Sequence, residues 1–339
     1  MISAIQITSF DGPAAMAYGR AAEPNPGPGQ VSLVVDYAGA NYVEALFAEG
    51  LVPSLSLPWV PGIEAAGRVR SLGEGVTGLA AGQPVAALTI NDGGAYGQVA
   101  VTNASLVAPM PMGLDPVTAA AVPSNTTTAL LALERLARLA PGEAVLVQAA
   151  AGGLGSQFGQ VARWLGASRV TGVVGSEGKR QAALGLGYDQ VWTRDELAGQ
   201  APGQFDVIAD PVSGPGRAAS LDLLRLGGRL LAVGDAAQAG DQLVSTNQLW
   251  FGGKGVLGFN LGAYAAALPA LVGEYLVRAL DLVATGAVKV SVNGTAPIES
   301  AATVLAELRA GRTTGKTVFQ HDRWQAAPPG TPVQRQFPR

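Results

Sequence analysis

The segment spanning residues 147–167 constrains the fold of this chain more than any other. It reads VQAAAGGLGSQFGQVARWLGA, so a short apolar run is followed by small residues and then by a helical pattern. The spacing Ala150-x-Gly152-x-x-Gly155 is the dinucleotide-binding fingerprint with alanine in place of its first glycine. Gly152 would let a pyrophosphate approach the backbone, and Gly155 would let the helix pack closely on the strand. A plain strand-to-helix turn is the alternative, so the surrounding pattern has to decide.

That surrounding pattern is an alternation of strands and helices. From about Val122 the chain shows the strand-like runs EAVLVQAA, RVTGVVGS, DVIADPV and RLLAVGD, separated by the helical patterns SQFGQVARWLGA, EGKRQAALGLG and GRAASLDLLRLGG. Such alternation predicts an α/β fold with a parallel sheet wrapped by crossover helices. Because the fingerprint binds dinucleotides in this context, the pattern favours a nucleotide site over the plain turn.

The regions on either side of this alternation have a different character. Up to about Leu106, strand patterns such as QVSLVVDYAGA lie between glycine and proline turns, which predicts a β-rich domain with few helices. After Phe259 two helical patterns, 264–285 and 298–310, flank the strand-like VKVSVNG. The polar, proline-rich segment DRWQAAPPGTPVQRQFPR predicts a loosely held tail.

Composition excludes several classes of function. A chain of 339 residues suggests two domains, and its net charge of -3 leaves no basic stripe for nucleic acid. The absence of cysteine excludes disulfides, thiolate metal sites and a cysteine nucleophile. The opening MISAIQITSF is not typical of a signal peptide, and the apolar tracts are interrupted before membrane-spanning length. We therefore expect a cytoplasmic protein with no nucleic-acid or membrane partner.

Several motifs together resemble one superfamily along nearly the whole chain. NYVEALFAEG, PWVPGIEAAGRV, GGAYGQVAV, AAAGGLGS, GGRLLAVG and GRTTGKTVF occur in the order seen in medium-chain dehydrogenases/reductases. The loop AAAGGLGS is similar to that of the zinc-free quinone oxidoreductase branch. The resemblance implies a split GroES-like catalytic domain, residues 1–121 and 265–322, with an inserted Rossmann domain at 122–264 and a flexible tail at 323–339.

The resemblance also bears on metal binding. The positions that match the catalytic zinc ligands of other members hold Asn41, Ile63 and Ser124, and none of these residue types suits zinc. Glu64 is then a structural or polar-network residue rather than a ligand. The one histidine, His321, lies at the edge of the tail, which disfavours histidine acid catalysis or a serine-histidine pair. We expect no metal, so the chemistry must rest on a cofactor.

Hydride transfer from a nicotinamide is the reaction that fits these exclusions. Without a Lewis acid an isolated ketone is a poor acceptor, whereas a quinone or an α,β-unsaturated carbonyl spreads the arriving charge through its own π-system. The sequence therefore predicts an NADPH-dependent reductase of quinones or α,β-unsaturated carbonyls. A trans-acting enoyl-thioester reductase of a biosynthetic pathway and a non-catalytic NADPH-binding protein are the alternatives.

The resemblance places four residues near the nicotinamide. Asn41 and Thr128 match residues beside the nicotinamide ribose and ring, and Phe259 and Asn260 follow a strand that ends at the same pocket. The structural alternatives are that Asn41 satisfies a turn, that Thr128 bonds back to its helix, and that Phe259 belongs to the core.

The reduction also requires a proton donor. Relatives often carry a tyrosine where this chain has Leu46, so a tyrosine-assisted reduction at that position is in doubt. Tyr42 and Tyr96 are neighbouring candidates, although buried tyrosines usually have a satisfied hydroxyl. We take Asn41, Tyr42 and Thr128 as the catalytic candidates.

The segment after the second strand of the nucleotide fold predicts a preference for NADPH. NAD-specific folds place a carboxylate there for the ribose hydroxyls, whereas this chain has Val174. Lys179, Arg180 and Arg194 would bind a 2′-phosphate, unless the first two are simply a solvated helix face. The full predicted cofactor set is Asn41, Thr128, Ala151, Gly152, Gly153, Leu154, Gly155, Gly175, Ser176, Lys179, Arg180, Arg194, Gly234, Phe259, Asn260 and Lys316.

A homodimer is the expected assembly. Members of the superfamily commonly join the outer strands of two Rossmann sheets, and KGVLGFNL reads as an apolar strand at such an edge.

Overall fold

The computed structural model describes residues 1–52 and 55–322, and the predicted tail at 323–339 lies outside them. Two lobes are present, one β-rich and one α/β. The strands are β1 (Ile2–Ile7), β2 (Met16–Ala21), β3 (Gln30–Gly39), β4 (Glu64–Leu72), β5 (Pro84–Leu88), β6 (Val99–Asn103), β7 (Val107–Pro109), β8 (Ala144–Val147), β9 (Arg169–Val174), β10 (Gln190–Thr193), β11 (Phe205–Asp210), β12 (Leu224–Ala232), β13 (Gly255–Gly258), β14 (Val292–Pro297) and β15 (Lys316–Gln320).

The helices are mostly short outside the α/β lobe. They are α1 (Tyr42–Ala48), α2 (Pro116–Ala119), α3 (Asn125–Leu130), α4 (Gly153–Trp164), α5 (Arg180–Leu184), α6 (Arg194–Leu197), α7 (Pro215–Leu223), α8 (Thr246–Gly252), α9 (Leu261–Ala267), α10 (Pro269–Ala284) and α11 (Ala301–Arg309). A π-helical stretch, Leu131–Leu136, continues α3.

The β-rich lobe is built from both ends of the described chain. Its larger sheet has the order β14-β15-β3-β4-β5-β7, with β6 also paired to β3. Phe319 of β15 lies opposite Ala38 of β3 in an antiparallel pair, so a late strand completes the sheet that the early strands begin. The ring of Phe319 is fully buried against Tyr96, edge to face at 5.1 Å. This connectivity leaves the α/β lobe as an insertion, while the domain boundaries given above stay a prediction.

The α/β lobe contains the predicted parallel sheet. Its order is β10-β9-β8-β11-β12-β13, and each pair is parallel. The first strand of the lobe, β8, therefore lies between the second and the fourth, which is the doubly wound Rossmann order. Successive strands are added on one side of β8 up to β10 and on its other side from β11 onward, and ligands bind such folds at the carboxyl ends of the strands where this order switches. The predicted fold class is confirmed.

Two helical predictions need correction. The helix expected through RLGG ends at Leu223, because Leu224 already begins β12. The pattern at 264–285 forms two helices rather than one, since Pro269 has no backbone N–H and starts a new helix after Leu268. Among the described residues up to Leu106 the only α-helix is the short α1, which agrees with the expected β-rich domain. None of the described helices is long and apolar enough to cross a membrane.

Tight packing at glycine fixes the central helix α4 on the sheet. A Cβ added to Gly155 would lie 2.2 Å from the carbonyl oxygen of Ala149, so only glycine fits there. The buried Tyr188 hydroxyl donates to the Gly155 carbonyl oxygen at 2.6 Å. Phe158 and Val161 fill the core on the same face of the helix. The close helix–strand packing expected from the fingerprint is present.

Candidate functional site

The fingerprint loop lies at the switch point of the sheet and ends in an uncapped helix. It leaves β8 through Ala149, whose φ is 54°, and α4 begins at Gly153 with no side-chain hydrogen bond at its N-cap, Gly152. Helix first-turn amides without partners, together with the helix dipole, favour an anion. A Cβ on Gly152 would meet only the Ala149 carbonyl oxygen, at 3.3 Å, so the outer side of the loop is open. The loop fits a pyrophosphate.

The β-rich lobe holds this loop from the other side. The Gly315 amide donates to the Ala151 carbonyl oxygen at 2.9 Å, and Gly152 and Gly315 form a parallel β-bridge. A Cβ on Gly153 would lie 2.8 Å from the Asn125 amide nitrogen and 3.6 Å from the Lys316 side chain. The nucleotide loop and the β-rich lobe are therefore in direct contact at the start of α4.

Lys316 belongs to a buried charge cluster, which we define as Asn41, Glu44, Glu64 and Lys316. The Lys316 ammonium is paired with Glu64 and donates to the Asn41 side-chain oxygen. The Asn41 side-chain nitrogen donates to Glu64 Oε1 at 2.9 Å, so both ends of this amide are held. Glu44 accepts from the Asn41 and Ile63 backbone amides at 2.8 and 3.1 Å. All four residues are at most 8% exposed.

The cluster contains two carboxylates and one ammonium. Burial raises the pKa of Glu44 to about 8, with the Lys316 ammonium opposing that rise and the neighbouring Glu64 adding to it. The prediction that Glu64 belongs to a polar network is supported by these contacts. The alternative for Asn41, a turn contact, is also present as a weak 3.4 Å bond to the Gly39 carbonyl oxygen.

Tyr96 lies against this cluster with an unexpected feature. Its side chain is fully buried, yet its hydroxyl has no hydrogen-bond partner among the residues that the structure describes. The expectation that a buried tyrosine here has a satisfied hydroxyl is therefore wrong. Burial, with Glu44 and Glu64 nearby, raises the pKa of Tyr96 well above its ordinary value. Such a hydroxyl is a poor source of protons.

The positions that match zinc ligands do not form a donor set. Asn41 is engaged in the cluster, Ile63 contributes only its backbone, and the Ser124 amide donates to Glu64 Oε2 at 2.8 Å. Both carboxylate oxygens of Glu64 are thus occupied by nitrogen donors. Within residues 1–52 and 55–322 no group of three His, Cys, Asp or Glu side chains converges as a metal site. His321 is buried, bonded to the Ala95 carbonyl oxygen at 2.9 Å, and burial lowers its pKa to about 4.

Tyr42 and Thr128 lie in different environments. The Tyr42 hydroxyl donates to the Ala236 carbonyl oxygen of the α/β lobe at 2.8 Å and contacts the Arg309 guanidinium. Desolvation raises the pKa of Tyr42. Thr128 lies on α3, and its hydroxyl makes no hydrogen bond with any described residue, so the suggested bond back to its helix is absent. Its hydroxyl is available to a ligand, whereas that of Tyr42 is already engaged.

The other residues predicted at the nicotinamide end have structural contacts. Phe259 is 5% exposed, and its ring lies 4.9 Å from that of Tyr264, which fits the core alternative. Asn260 caps α9 by accepting from the Ala263 amide at 3.0 Å. The Gly234 carbonyl oxygen accepts from Arg217 at 2.7 Å. These contacts are structural. A role of Gly234, Phe259 and Asn260 in cofactor binding stays a prediction.

At the end of β9, an exposed turn lies between two positively charged side chains. Gly175 and Ser176 are exposed, and a Cβ on Gly175 would lie 3.6 Å from an Arg194 guanidinium nitrogen. Lys179 donates to the carbonyl oxygens of Gly311 and Thr313 at 2.6 and 2.9 Å. Neither Lys179 nor Arg194 forms an ion pair with a carboxylate in the described part of the chain. Two cations without an anionic partner therefore flank an open turn.

Unlike Lys179, Arg180 is already paired with carboxylates. Its guanidinium is paired with Glu177 and with Glu196, at 2.7 and 2.9 Å, and it also donates to the Val191 carbonyl oxygen. Glu177 lies three residues from Arg180 along the chain, whereas Glu196 is supplied by α6. The predicted phosphate contact of Arg180 stays a prediction, and it now requires that this guanidinium bind a further anion.

Two residues of the candidate site were missed by the sequence argument. Glu44 follows the N-cap residue Asn41 at the third position of α1, the capping-box spacing, and this signal was available. Asn125, whose amide faces Gly153, has no such signal because its partner is distant in sequence.

The strand order and the loop define a two-lobed protein with a dinucleotide-binding lobe. Comparison with known proteins agrees. The chain matches the alcohol dehydrogenase GroES-like domain over residues 27–112 and the zinc-binding dehydrogenase domain over residues 153–306. The chain belongs to the medium-chain dehydrogenase/reductase superfamily, with a GroES-like domain and a Rossmann domain.

Individual relatives come from two groups. The chain is 41% identical over 207 residues to the polyketide synthase GfsB of Streptomyces halstedii, covering 61% of this chain and 4% of that protein. It is 33% identical over 302 residues to the pikromycin polyketide synthase component PikAII of Streptomyces venezuelae, covering 86% and 8%. Its fold is similar to that of Escherichia coli quinone oxidoreductase complexed with NADPH, at 26% identity and a TM-score of 0.82, covering 94% and 99% of the two chains. The chain thus spans a small part of these polyketide synthases and nearly all of the quinone oxidoreductase.

Proposed function

We propose that this chain is a zinc-independent, NADPH-dependent reductase of quinones or α,β-unsaturated carbonyl compounds. One observation carries the proposal: the fingerprint loop meets the buried charge cluster through Gly315 and Lys316. A dinucleotide whose phosphates occupy the loop would then extend toward Asn41 and Thr128. The nicotinamide, when bound, supplies the hydride.

The chain's own residues would orient the reactants and supply charge. Lys316, held by Glu64, places a positive charge beside the loop and fixes the Asn41 amide. Thr128 offers a hydroxyl with no other hydrogen bond among the described residues. Since Asn41, Ile63 and Ser124 provide no ligand set, the acceptor must itself spread the arriving negative charge, as quinones and enones do. Asn41 and Thr128 remain proposed catalytic residues, and Tyr42 is tested below.

The preference for NADPH rests on the turn after β9. Val174 occupies the position of the NAD-selective carboxylate, and Lys179 and Arg194 flank the exposed Gly175. A charge-assisted contact to a phosphate contributes about 1.5–3 kcal/mol, so two of them imply a preference on the order of a hundredfold or more. The ratio of kcat/KM for NADPH and NADH tests this in the wild type, in Lys179→Ala and in Arg194→Ala, and each substitution should lower the ratio by about tenfold or more. Arg180→Ala tests the further contact predicted for that guanidinium. Equal use of both cofactors by the wild type would refute the preference.

A panel of acceptors tests the reaction itself. Purified protein is mixed with NADPH and, separately, with a benzoquinone, an enone and an enoyl thioester, and oxidation of the cofactor is followed by absorbance. NADPH binding without oxidation by any acceptor would favour the non-catalytic NADPH-binding protein. Turnover restricted to the thioester would favour an enoyl-thioester reductase, the candidate supported by the similarity to polyketide synthases.

We also propose a homodimer through the edge strand β13. This strand pairs only with β12 among the described strands, so its outer backbone groups are open to a second copy. Large apolar side chains near this strand are exposed, namely Leu226 (83%), Trp250 (73%) and Phe251 (79%). An apolar surface next to an open edge is typical of an isologous contact. Light scattering at micromolar concentration that gives a monomer would refute it.

A further inference from the structure

The lysine after β9 makes a contact that crosses between the lobes. Lys179 lies in the α/β lobe, yet its ammonium bonds the carbonyl oxygens of Gly311 and Thr313, at 2.6 and 2.9 Å, in a turn of the β-rich lobe. An ammonium has three N–H donors, so one remains after these two bonds. Burial lowers the pKa of Lys179, as expected for a cation held by neutral carbonyls alone. An anion at its open side would complete this arrangement.

The turn that Lys179 holds leads directly to the candidate site. We name residues 311–315 the interlobe turn. Its last residue, Gly315, donates to the Ala151 carbonyl oxygen of the fingerprint loop, and the next residue is Lys316 of the charge cluster. The Arg312 amide donates to the Glu307 carbonyl oxygen at 3.0 Å, which ties the turn back to α11. Tightening of the turn would therefore act on both the fingerprint loop and Lys316.

We propose that Lys179 is a specificity-determining residue that bridges the cofactor's 2′-phosphate and the interlobe turn, so that NADP(H) fastens the two lobes together where NAD(H) does not. The inference rests on the proposed NADPH preference and adds a second consequence to it. A phosphate on the third donor keeps the ammonium charged and strengthens its two bonds to the turn. The chain then discriminates NADP(H) from NAD(H) by the closure of the lobes as well as by binding affinity. Because the interlobe turn leads to Lys316, closure also affects the rate of the turnover step.

Hydrogen exchange of the interlobe turn tests the bridge without catalysis. The wild type is measured free, with 2′,5′-ADP and with 5′-AMP, at saturating concentrations set by calorimetric titration of each ligand. The same measurements are made on Lys179→Met, on Lys179→Arg, which retains a charged donor, and on Lys254→Met. Lys254 is a matched control because its ammonium also bonds a carbonyl oxygen, that of Leu221 at 2.7 Å, but within one lobe.

The expected result is selective protection. In the wild type and in Lys254→Met, 2′,5′-ADP slows exchange of the interlobe turn by about threefold or more relative to 5′-AMP. Lys179→Met loses this difference, and Lys179→Arg retains part of it. If 2′,5′-ADP binds more tightly than 5′-AMP but protects the turn no better, the bridge is refuted while the NADPH preference stands. If 2′,5′-ADP binds no more tightly, the NADPH preference itself fails and the bridge fails with it.

Discussion

Replacing Lys316 by methionine should destabilise the fold in a pH-dependent way. The ammonium is 3% exposed and is the single cation of the charge cluster, paired with Glu64, which is fully buried. Removing one partner of a buried pair typically costs about 3–5 kcal/mol, because the remaining charge is left uncompensated. Methionine keeps the aliphatic volume, so we expect the free energy of unfolding to fall by about that amount at pH 8.

The pH dependence follows from Glu44. The pKa of its carboxyl is about 8 in the folded chain and has an ordinary value of 4.5, so stability from the protonated form is complete below about 4.5 and is lost as the pH rises through 8. At pH 5.5 Glu44 is neutral, and the cluster loses less when Lys316 is removed. If the substitution raises the pKa of Glu44 by about one further unit, the cost at pH 5.5 is smaller than at pH 8 by roughly 0.4 kcal/mol, because only half of the Glu44 carboxyl groups are ionised at pH 8 in the wild type.

Urea unfolding at pH 5.5 and pH 8 measures both quantities. Lys316→Arg, which keeps the charge, should lose less stability than Lys316→Met at pH 8. Lys289→Met removes an exposed lysine and should change the free energy of unfolding by less than about 0.5 kcal/mol. A cost below about 1 kcal/mol for Lys316→Met at pH 8, or a cost at pH 5.5 that exceeds the cost at pH 8, would refute the reasoning.

Four further outcomes are expected. Tyr42→Phe should lower kcat by less than about tenfold, because the hydroxyl is bonded to the Ala236 carbonyl oxygen; a loss of about a hundredfold or more would instead identify it as the proton donor. Gly155→Ala should destabilise the fold by about 1–3 kcal/mol in thermal or urea unfolding, since its Cβ would lie 2.2 Å from the Ala149 oxygen. Gly152→Ala, with its nearest contact at 3.3 Å, should fold more stably than Gly155→Ala and weaken NADPH binding in a fluorescence titration; equal destabilisation by both would contradict this. Elemental analysis should find no stoichiometric zinc, and about one zinc per chain would contradict the ligand argument.

Local patterns were sufficient to predict much of the fold. The parallel sheet follows from apolar runs that alternate with helical patterns, and the fingerprint predicts its first loop. Where a prediction fails, a competing local rule usually explains it, as when Pro269 divides one expected helix into two. These features depend on residues that are near one another in sequence.

The candidate site is harder to predict because its contacts join distant residues. Lys316 reaches Asn41 only because β15 pairs with β3, and no local pattern near either residue indicates that pairing. The engagement of Arg180 by Glu196 has the same origin, since that carboxylate is supplied by another helix. Sequence reasoning could propose which residue types belong to the site, but their protonation and availability depend on tertiary contacts.

The pairing of β15 with β3 also has a consequence for the order in which the chain can fold during synthesis. The strands of the α/β lobe are contiguous, so this lobe can form once α9 has left the ribosome. The β-rich lobe cannot complete its sheet until β15 is made, although β3 emerges early. Contacts of such long sequence separation form slowly. Between the synthesis of β3 and that of β15, Glu44 and Glu64 therefore lack the Lys316 ammonium that compensates their charge in the folded chain. The nascent early strands therefore present an unpaired edge that a chaperone, or another nascent chain, can bind.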